Sequence, residues 1–237
     1  MAIDRSLLPL TREVLDNAPW LGASHAQTRD DFIKGGTTKN LGAREVISRR
    51  GEPVDALLLI IHGNLEMSIT DIDGRRHVAG YLEAGQITNL IPLLDERPAI
   101  HDICAHNECI VFLIPKPVFT RAVESDPGLS RAVLRLLCLR SRIFYDRLAD
   151  VTLLPLRARC ARALLSMLPL YGQHRADGIS ISLKLSQNEF ADIIGASRQS
   201  VNRELKRLEK EDIIRMTYSR FIVIDDSKLH SIATEHY

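Results

Sequence analysis

Leu185-Ser186-Gln187-Asn188-Glu189-Phe190-Ala191-Asp192-Ile193-Ile194-Gly195-Ala196-Ser197-Arg198-Gln199-Ser200-Val201-Asn202-Arg203, running on to Ile214, is the stretch on which the fold turns. Ser186 with Glu189 three residues later is a capping-box pattern, which starts a helix by satisfying its first N–H groups. Phe190, Ala191, Ile193 and Ile194 give that short helix an apolar face, and Gly195-Ala196 breaks it. Ser197 can cap a second helix that turns Val201, Leu205 and Leu208 inward. Two short helices joined by a turn containing glycine make a helix-turn-helix. The outward residues of the second helix are Arg198, Gln199, Asn202, Arg203 and Lys206. Arginine forks onto guanine, glutamine and asparagine onto adenine, and lysine reaches phosphate, so this face is suited to double-stranded DNA. Ser197 and Ser200 lie at the helix N-terminus, where hydroxyls and free N–H groups suit phosphate oxygens. The competing reading is a charged, solvated helix face. Cap, turn and basic second helix in that order argue against it.

Downstream, Ile213-Ile214-Arg215-Met216 and Phe221-Ile222-Val223-Ile224 flank Tyr218-Ser219-Arg220, a pattern that predicts a two-stranded wing with Arg220 at its tip. Upstream, Ile179 to Leu183 alternates as a short strand. Pro155 begins a helix that runs to about Leu170 and closes at Tyr171-Gly172. Before it, residues 129–151 contain neither Gly nor Pro, and Ser125 or Asp126 can cap the start. Leu134, Leu137, Ser141, Phe144, Leu148 and Val151 form one seam along this long helix. Val133, Leu136, Arg140 and Ile143 form a second, partly polar one. A helix with two apolar faces has to bury both: one against its own domain, the other against a partner helix. Leu137, Phe144 and Leu148 are the expected dimer contacts. Burial of the whole helix within one chain is the alternative.

Residues 41–115 read as short strands and tight turns. The apolar run Ala56 to Ile61 is too short for a buried helix and ends at His62-Gly63, which suits a buried strand. Leu65, Met67 and Ile69 alternate with Glu66, Ser68 and Thr70, the pattern of a half-buried strand. Asp71-Ile72-Asp73-Gly74 supplies a hairpin turn into the return strand His77 to Leu82. Ala84-Gly85 marks another turn, and the strand Cys109 to Ile114 is stopped by Pro115 and Pro117. Many short strands with glycine turns predict a barrel or roll. The fold class is therefore α+β: an N-terminal β-roll, a long helix and a C-terminal winged helix-turn-helix.

The 237 residues are 45% hydrophobic and 26% charged, an ordinary globular composition. The longest apolar run is far short of a membrane span, and the N-terminus has no signal-peptide pattern. A cytoplasmic protein with no membrane partner is expected. Residues 155–237 carry 13 Lys and Arg against 10 Asp and Glu, and residues 1–154 carry 18 against 20. A polyanion would thus be bound by the second part. Cys104, Cys109, Cys138 and Cys160 form no C-x-x-C pair and imply no disulfide framework. No P-loop, G-x-S-x-G, H-E-x-x-H or G-x-G-x-x-G is present, so no enzyme is expected.

With these residues in place, the chain resembles the Crp–Fnr family, that of the cyclic-AMP receptor protein and the fumarate–nitrate reduction regulator. Residues 185–203 fit that family's helix-turn-helix without a gap. Arg50-Gly51-Glu52, Leu59 to Gly63, Asp73-Gly74-Arg75 and Gly85 resemble its glycine-marked, cyclic-nucleotide-binding-like jelly roll, and the helix 129–151 sits where its dimer helix sits. The resemblance implies a sensor domain over 1–124, a dimerisation helix over 125–154 and a DNA-binding domain over 155–237. It implies a homodimer on a two-fold symmetric site. Arg198, Gln199 and Arg203 would face base edges, with Asn202 beside them. Ser186, Gln187, Asn188, Ser197 and Ser200 would hold phosphates, with Lys206 and Arg220. An activator of this kind would also meet RNA polymerase.

The sensor departs from its relatives. The cyclic-nucleotide binders carry Gly-Glu for the ribose, where this chain has Asn89-Leu90. Leucine cannot accept a hydrogen bond from a ribose hydroxyl. Arg97-Pro98-Ala99 keeps the arginine of the phosphate motif, but Pro98 lacks the serine's hydroxyl and N–H. Asn89, Leu90 and Arg97 therefore mark an effector pocket that argues against cyclic AMP. The iron–sulfur members use N-terminal cysteines, and there is none before Cys104. Haem stays open but unfavoured: His62, His77, His101 and His106 with Cys104 and Cys109 are axial-ligand types, yet histidines scattered over strands are ordinarily structural. A thiol switch at Cys104 and Cys109 is a further alternative. A small organic effector in the roll is the leading reading.

Overall fold

The computed structural model describes residues 6–217 and 219–234. They group into two compact units that divide between Ser141 and Arg142, inside the long helix.

The first unit opens with helices α1 (Leu8–Asp16) and α2 (Ala26–Gly35), joined through a 3-10 turn at Pro19–Leu21. Eight strands follow: β1 (Thr37–Leu41), β2 (Val46–Ser48), β3 (Ala56–His62), β4 (Leu65–Thr70), β5 (Arg76–Leu82), β6 (Ile87–Thr88), β7 (Asp102–Ala105) and β8 (Cys109–Pro115). A short helix α3 (Leu90–Asp95) sits between β6 and β7. The strands form two four-stranded antiparallel sheets, β1-β8-β3-β6 and β2-β7-β4-β5. Together they are the β-roll that the glycine turns predict.

The run 56–61 in β3 is apolar at every position because both of its faces are covered. Leu58 and Ile60 face the roll interior with Leu41, Leu65, Leu82, Ile103 and Val111. Leu57, Leu59 and Ile61 face outward onto Trp20, Phe32, Phe119 and Leu129 from the helices. Burying one such side chain contributes about 1.5–3 kcal/mol. The expected hairpin is present: Asp71 accepts the N–H groups of Asp73 and Arg75 (3.0 and 2.8 Å), and Gly74 takes φ +78°.

Two expectations are corrected. β4 does not alternate as its sequence predicts: Glu66 and Ser68 are buried with Leu65, while Met67 and Ile69 are half-buried and Thr70 is exposed. Glu66 finds its partners on neighbouring strands, an ion pair with Arg76 and hydrogen bonds from Tyr81 Oη (3.3 Å) and Cys104 Sγ (3.5 Å). Pro115 and Pro117 do more than stop β8. They begin a helix, α4 (Lys116–Ser125), whose first turn needs no N–H from proline. Helices α1 and α2, which have no counterpart in the sequence reading, close one side of the roll's core.

The long helix α5 (Pro127–Leu153) spans 27 residues, roughly 40 Å at 1.5 Å each. Asp126 caps it, accepting from the N–H groups of Gly128 (2.9 Å) and Leu129 (3.2 Å). Its other oxygen accepts from His25 N–H (2.8 Å) and Thr28 Oγ1 (2.6 Å) on α2. One buried carboxylate thereby joins two helix N-termini. Burial alone would raise its pKa, but these hydrogen bonds outweigh burial and hold it below the usual carboxylate range.

The second unit contains α6 (Leu156–Tyr171), β9 (Gly172–Arg175), β10 (Gly178–Ile181), α7 (Gln187–Ile194), α8 (Arg198–Lys210), β11 (Ile214–Thr217), β12 (Arg220–Val223) and α9 (Asp226–Thr234). Its four strands form one antiparallel sheet ordered β11-β12-β10-β9. Pro155 sits at the N-cap of α6, as its place in the sequence predicts. Strand β9 and helix α9 have no counterpart in the sequence reading.

Candidate nucleic-acid interface

The two helices α7 and α8 are set by their caps. Ser186 Oγ accepts Glu189 N–H (3.2 Å), and Glu189 Oε2 accepts Ser186 N–H (2.8 Å), a closed capping box. Gly195 ends α7 at φ +68°, a conformation glycine adopts without strain, and donates to Ala191 O (2.9 Å). The guanidinium of Arg159, on α6, donates to Ile194 O at the same terminus. Ser197 Oγ then accepts Ser200 N–H (3.2 Å) and starts α8. Phe190, Ala191 and Ile194 of α7 are buried, as are Val201, Leu205 and Leu208 of α8. Phe190 packs on Phe221 of β12, ring centres 4.9 Å apart. Glu209 Oε1 accepts Met216 N–H (2.9 Å), which fastens α8 to the β11–β12 hairpin.

This packing leaves Arg198, Gln199, Arg203 and Lys206 exposed on the outer face of α8. Asn202 differs: it is half-buried, and its Oδ1 is sealed from solvent with no hydrogen-bond partner. An adenine fork needs both amide atoms of asparagine, so this side chain has to turn before it can make one. Among the residues assigned to phosphate, Asn188 is exposed and Gln187 half-buried at the start of α7. The Ser186 hydroxyl is committed inside its cap, donating to Glu189 Oε2 at 2.8 Å. The Ser197 hydroxyl donates to Ser200 Oγ (3.0 Å), and Ser200 keeps its own hydrogen for an outside acceptor. β11 and β12 pair from Ile214↔Val223 to Thr217↔Arg220, which is the expected wing. Arg220 is the first residue of β12 and half-buried, not at the tip. Tyr218, assigned to the tip, lies outside the described residues.

On α5, Leu134, Phe144, Leu148 and Val151 stand more than half exposed. Leu137 is half-buried and packs with Leu136 against the core of its own β-roll unit. Arg140, on the second seam, donates its guanidinium to Ile87 O of β6.

In the roll, Leu90, the first residue of α3, is fully buried in the core, and Asn89 holds φ +66° while its Nδ2 donates to Ala56 O (3.3 Å). Arg97 is exposed. Leu90 thus lies in the core and Arg97 at the surface. Of the histidines, His62 and His77 are exposed, and His106 packs edge-on against Tyr81 at 4.8 Å. His101 is half-buried; its pKa is pushed down by burial first and then by Arg50 and His77. All four cysteines are free thiols. Burial pushes both Cys104 and Cys109 up, the reverse of what a reactive thiolate needs.

Comparison with known proteins accounts for both units. Residues 38–126 match the model of the cyclic nucleotide-binding domain, and residues 158–232 match that of the Crp-like helix-turn-helix domain. A CRP-like cAMP-activated global transcriptional regulator of Mycobacterium tuberculosis is 25% identical over 179 residues, covering 76% of this chain and 80% of that protein. The HTH-type transcriptional regulator Cmr of the same organism is 26% identical over 215 residues, 90% of this chain and 84% of Cmr. Among solved structures, FixK2 from Bradyrhizobium japonicum superposes with a TM-score of 0.74 at 19% identity, covering 83% of this chain and 96% of FixK2.

Proposed function

The chain belongs to the Crp–Fnr family of DNA-binding transcription regulators, and on that premise we propose that it works as a homodimer on a two-fold symmetric operator, switched by a small β-roll effector other than cyclic AMP. It is a regulator and not an enzyme. The observation that carries the reading is the outer face of α8: Arg198, Gln199, Arg203 and Lys206 stand exposed on a helix whose opposite side is buried. Arg198, Gln199 and Arg203 read base edges, with Asn202 joining them if its amide turns outward. Lys206, Arg220, Gln187, Asn188 and the serines 186, 197 and 200 contact the backbone, so they set register and not sequence.

Residues 1–124 act as sensor, 125–154 as dimerisation helix and 155–237 as DNA-binding domain. The exposed row Leu134, Phe144, Leu148 and Val151 supports the dimer, since a helix face this apolar is ordinarily covered. The effector assignment rests on Leu90. Relatives with a cyclic-nucleotide domain include a cAMP-activated regulator, but here the residue at the ribose position is a buried leucine without an acceptor. No helix among the described residues is long and apolar enough to cross a membrane. A regulator of this type works on DNA in the cytoplasm and, as an activator, meets RNA polymerase.

Selection of bound sequences from a random duplex pool, with and without cell extract, tests the reading. An enriched palindrome is expected, with extract changing its recovery. Absence of any enriched motif overturns DNA readout; a motif without two-fold symmetry overturns the dimer.

A further inference from the structure

Position 204 lies on the inner side of α8, in the series 201, 204, 205, 208, where Val201, Leu205 and Leu208 are fully buried. It is occupied by a glutamate that is itself buried, with 8% of its side chain exposed. Taking a carboxylate out of water is costly unless cations and donors compensate. The compensation comes from α8 itself. Arg207 Nη1 lies 3.2 Å from each carboxylate oxygen. Arg203 Nε lies 3.6 Å from Oε1. Arg207 is three residues on, a natural helix neighbour. Arg203 is adjacent in sequence, and adjacent residues do not face each other on a helix, so its chain has to fold back to make this contact. Both side chains are otherwise turned to solvent, 66% exposed for Arg203 and 58% for Arg207.

We propose that Glu204 is a positioning and specificity-determining residue: its buried carboxylate draws the Nε edge of Arg203 toward it by charge, at ion-pair and not hydrogen-bond distance, leaving Nη1 and Nη2 to fork onto guanine, and keeps Arg207 off the phosphates. The inference rests on the proposal that Arg203 reads a base. An arginine whose Nε edge is drawn to a fixed carboxylate has its rotamers biased before DNA arrives, so less freedom is lost on binding. The fork that remains is the end-on pair of amino groups, which matches the O6 and N7 acceptors of guanine. The same carboxylate weakens sequence-independent binding, because it competes with phosphate for Arg207. Glu204 faces α6 as well: the thiol of Cys160, buried on that helix, is pushed up to about 12, chiefly by burial and next by the Glu204 charge.

Full-length wild type, Arg203→Ala, Glu204→Gln and Glu204→Leu are carried through random-duplex selection and through binding at several salt concentrations. Arg203→Ala flattens one G·C pair in each half-site. Both Glu204 variants lose about fivefold or more of the discrimination at that same pair, the low end of what one bidentate contact supplies. Their dependence of log affinity on log salt steepens by about 0.9 for each arginine released onto a phosphate. Loss of packing alone would not concentrate the change at one base pair or steepen the slope. Glu204→Leu places an apolar side chain in an apolar row and melts no lower than wild type, which separates readout from folding. If Arg203→Ala keeps the wild-type logo, base reading by Arg203 is wrong and this inference falls with it. If Arg203→Ala flattens the pair while both Glu204 variants keep the wild-type logo and slope, the inference alone is wrong. If both Glu204 variants fail to fold, Glu204 is a structural residue and the inference is equally overturned.

Discussion

Arg203, Lys206 and Gln199 all stand exposed on α8, yet they are expected to do different work. Arg203→Ala should remove roughly 1–3 kcal/mol of discrimination at one pair. Lys206→Ala should weaken every sequence alike and reduce the salt slope by about one. Uniform loss in both variants would make Arg203 a phosphate contact. By the family resemblance, Gln199 corresponds to a glutamate of the cyclic-AMP-type regulators. A carboxylate only accepts, which suits the N4 amino group of cytosine, whereas an amide donates and accepts and can fork onto adenine. Gln199→Glu should therefore move the selected base at one position from adenine toward cytosine, and identical logos would show that residue 199 reads no base. Side-chain chemistry of this kind was legible without coordinates, because it follows from residue type and helical phase. The sealed Oδ1 of Asn202 was not, since it depends on what packs beside the helix. Nor was the partnership of Glu204 with two arginines: an acidic residue in a charged helix reads as solvated until its burial is known.

At the scale of elements, α5 carries two consequences. Its exposed row includes Phe144, and placing a charge there on a buried interface costs several kcal/mol. Phe144→Glu should sediment as a monomer with reduced operator affinity; a dimer of unchanged strength would refute the assignment of this face. Its N-terminus depends on Asp126. The folded-state pKa of this carboxyl lies below its unfolded value, so its contribution is complete above about pH 4 and is lost as pH falls through the depressed value. Asp126→Ala should lower stability by about 1–2 kcal/mol at neutral pH, as loss of a cap does. Denaturant melts of the two proteins should converge as pH drops through the depressed pKa, and a gap independent of pH would show that the charge plays no part. Residues 125–126 were readable as a cap for α5 because Ser and Asp before a run without Gly or Pro satisfy free N–H groups. The reach of Asp126 to His25 and Thr28, about a hundred residues away, could only come from tertiary packing.

For the whole molecule, the decisive comparison is with the effector of the cAMP-activated relatives. With Leu90 buried in the core and Arg97 exposed, calorimetry should show no tight binding of cyclic AMP. Micromolar or better affinity would overturn the effector assignment while leaving the DNA reading intact. The sequence by itself determined the roll, the long helix and the winged helix-turn-helix, because each rests on local rules: period-two alternation, glycine turns, an uninterrupted apolar seam, and paired caps around a Gly break. It also placed Arg198, Gln199, Arg203 and Lys206 on the outward face of α8, though not the half-burial of Asn202. Only the tertiary structure decided that Glu66 is buried in the roll with Arg76, Tyr81 and Cys104, and that Pro117 opens a helix. It alone decided that α1 and α2 close the core, that Leu137 leans on its own domain, and that Glu204 lies between Arg203 and Arg207. The physical reason is common to these cases. Burial and partnership of a side chain depend on residues distant in the chain or on the exact turn of a neighbour, and no local pattern encodes either.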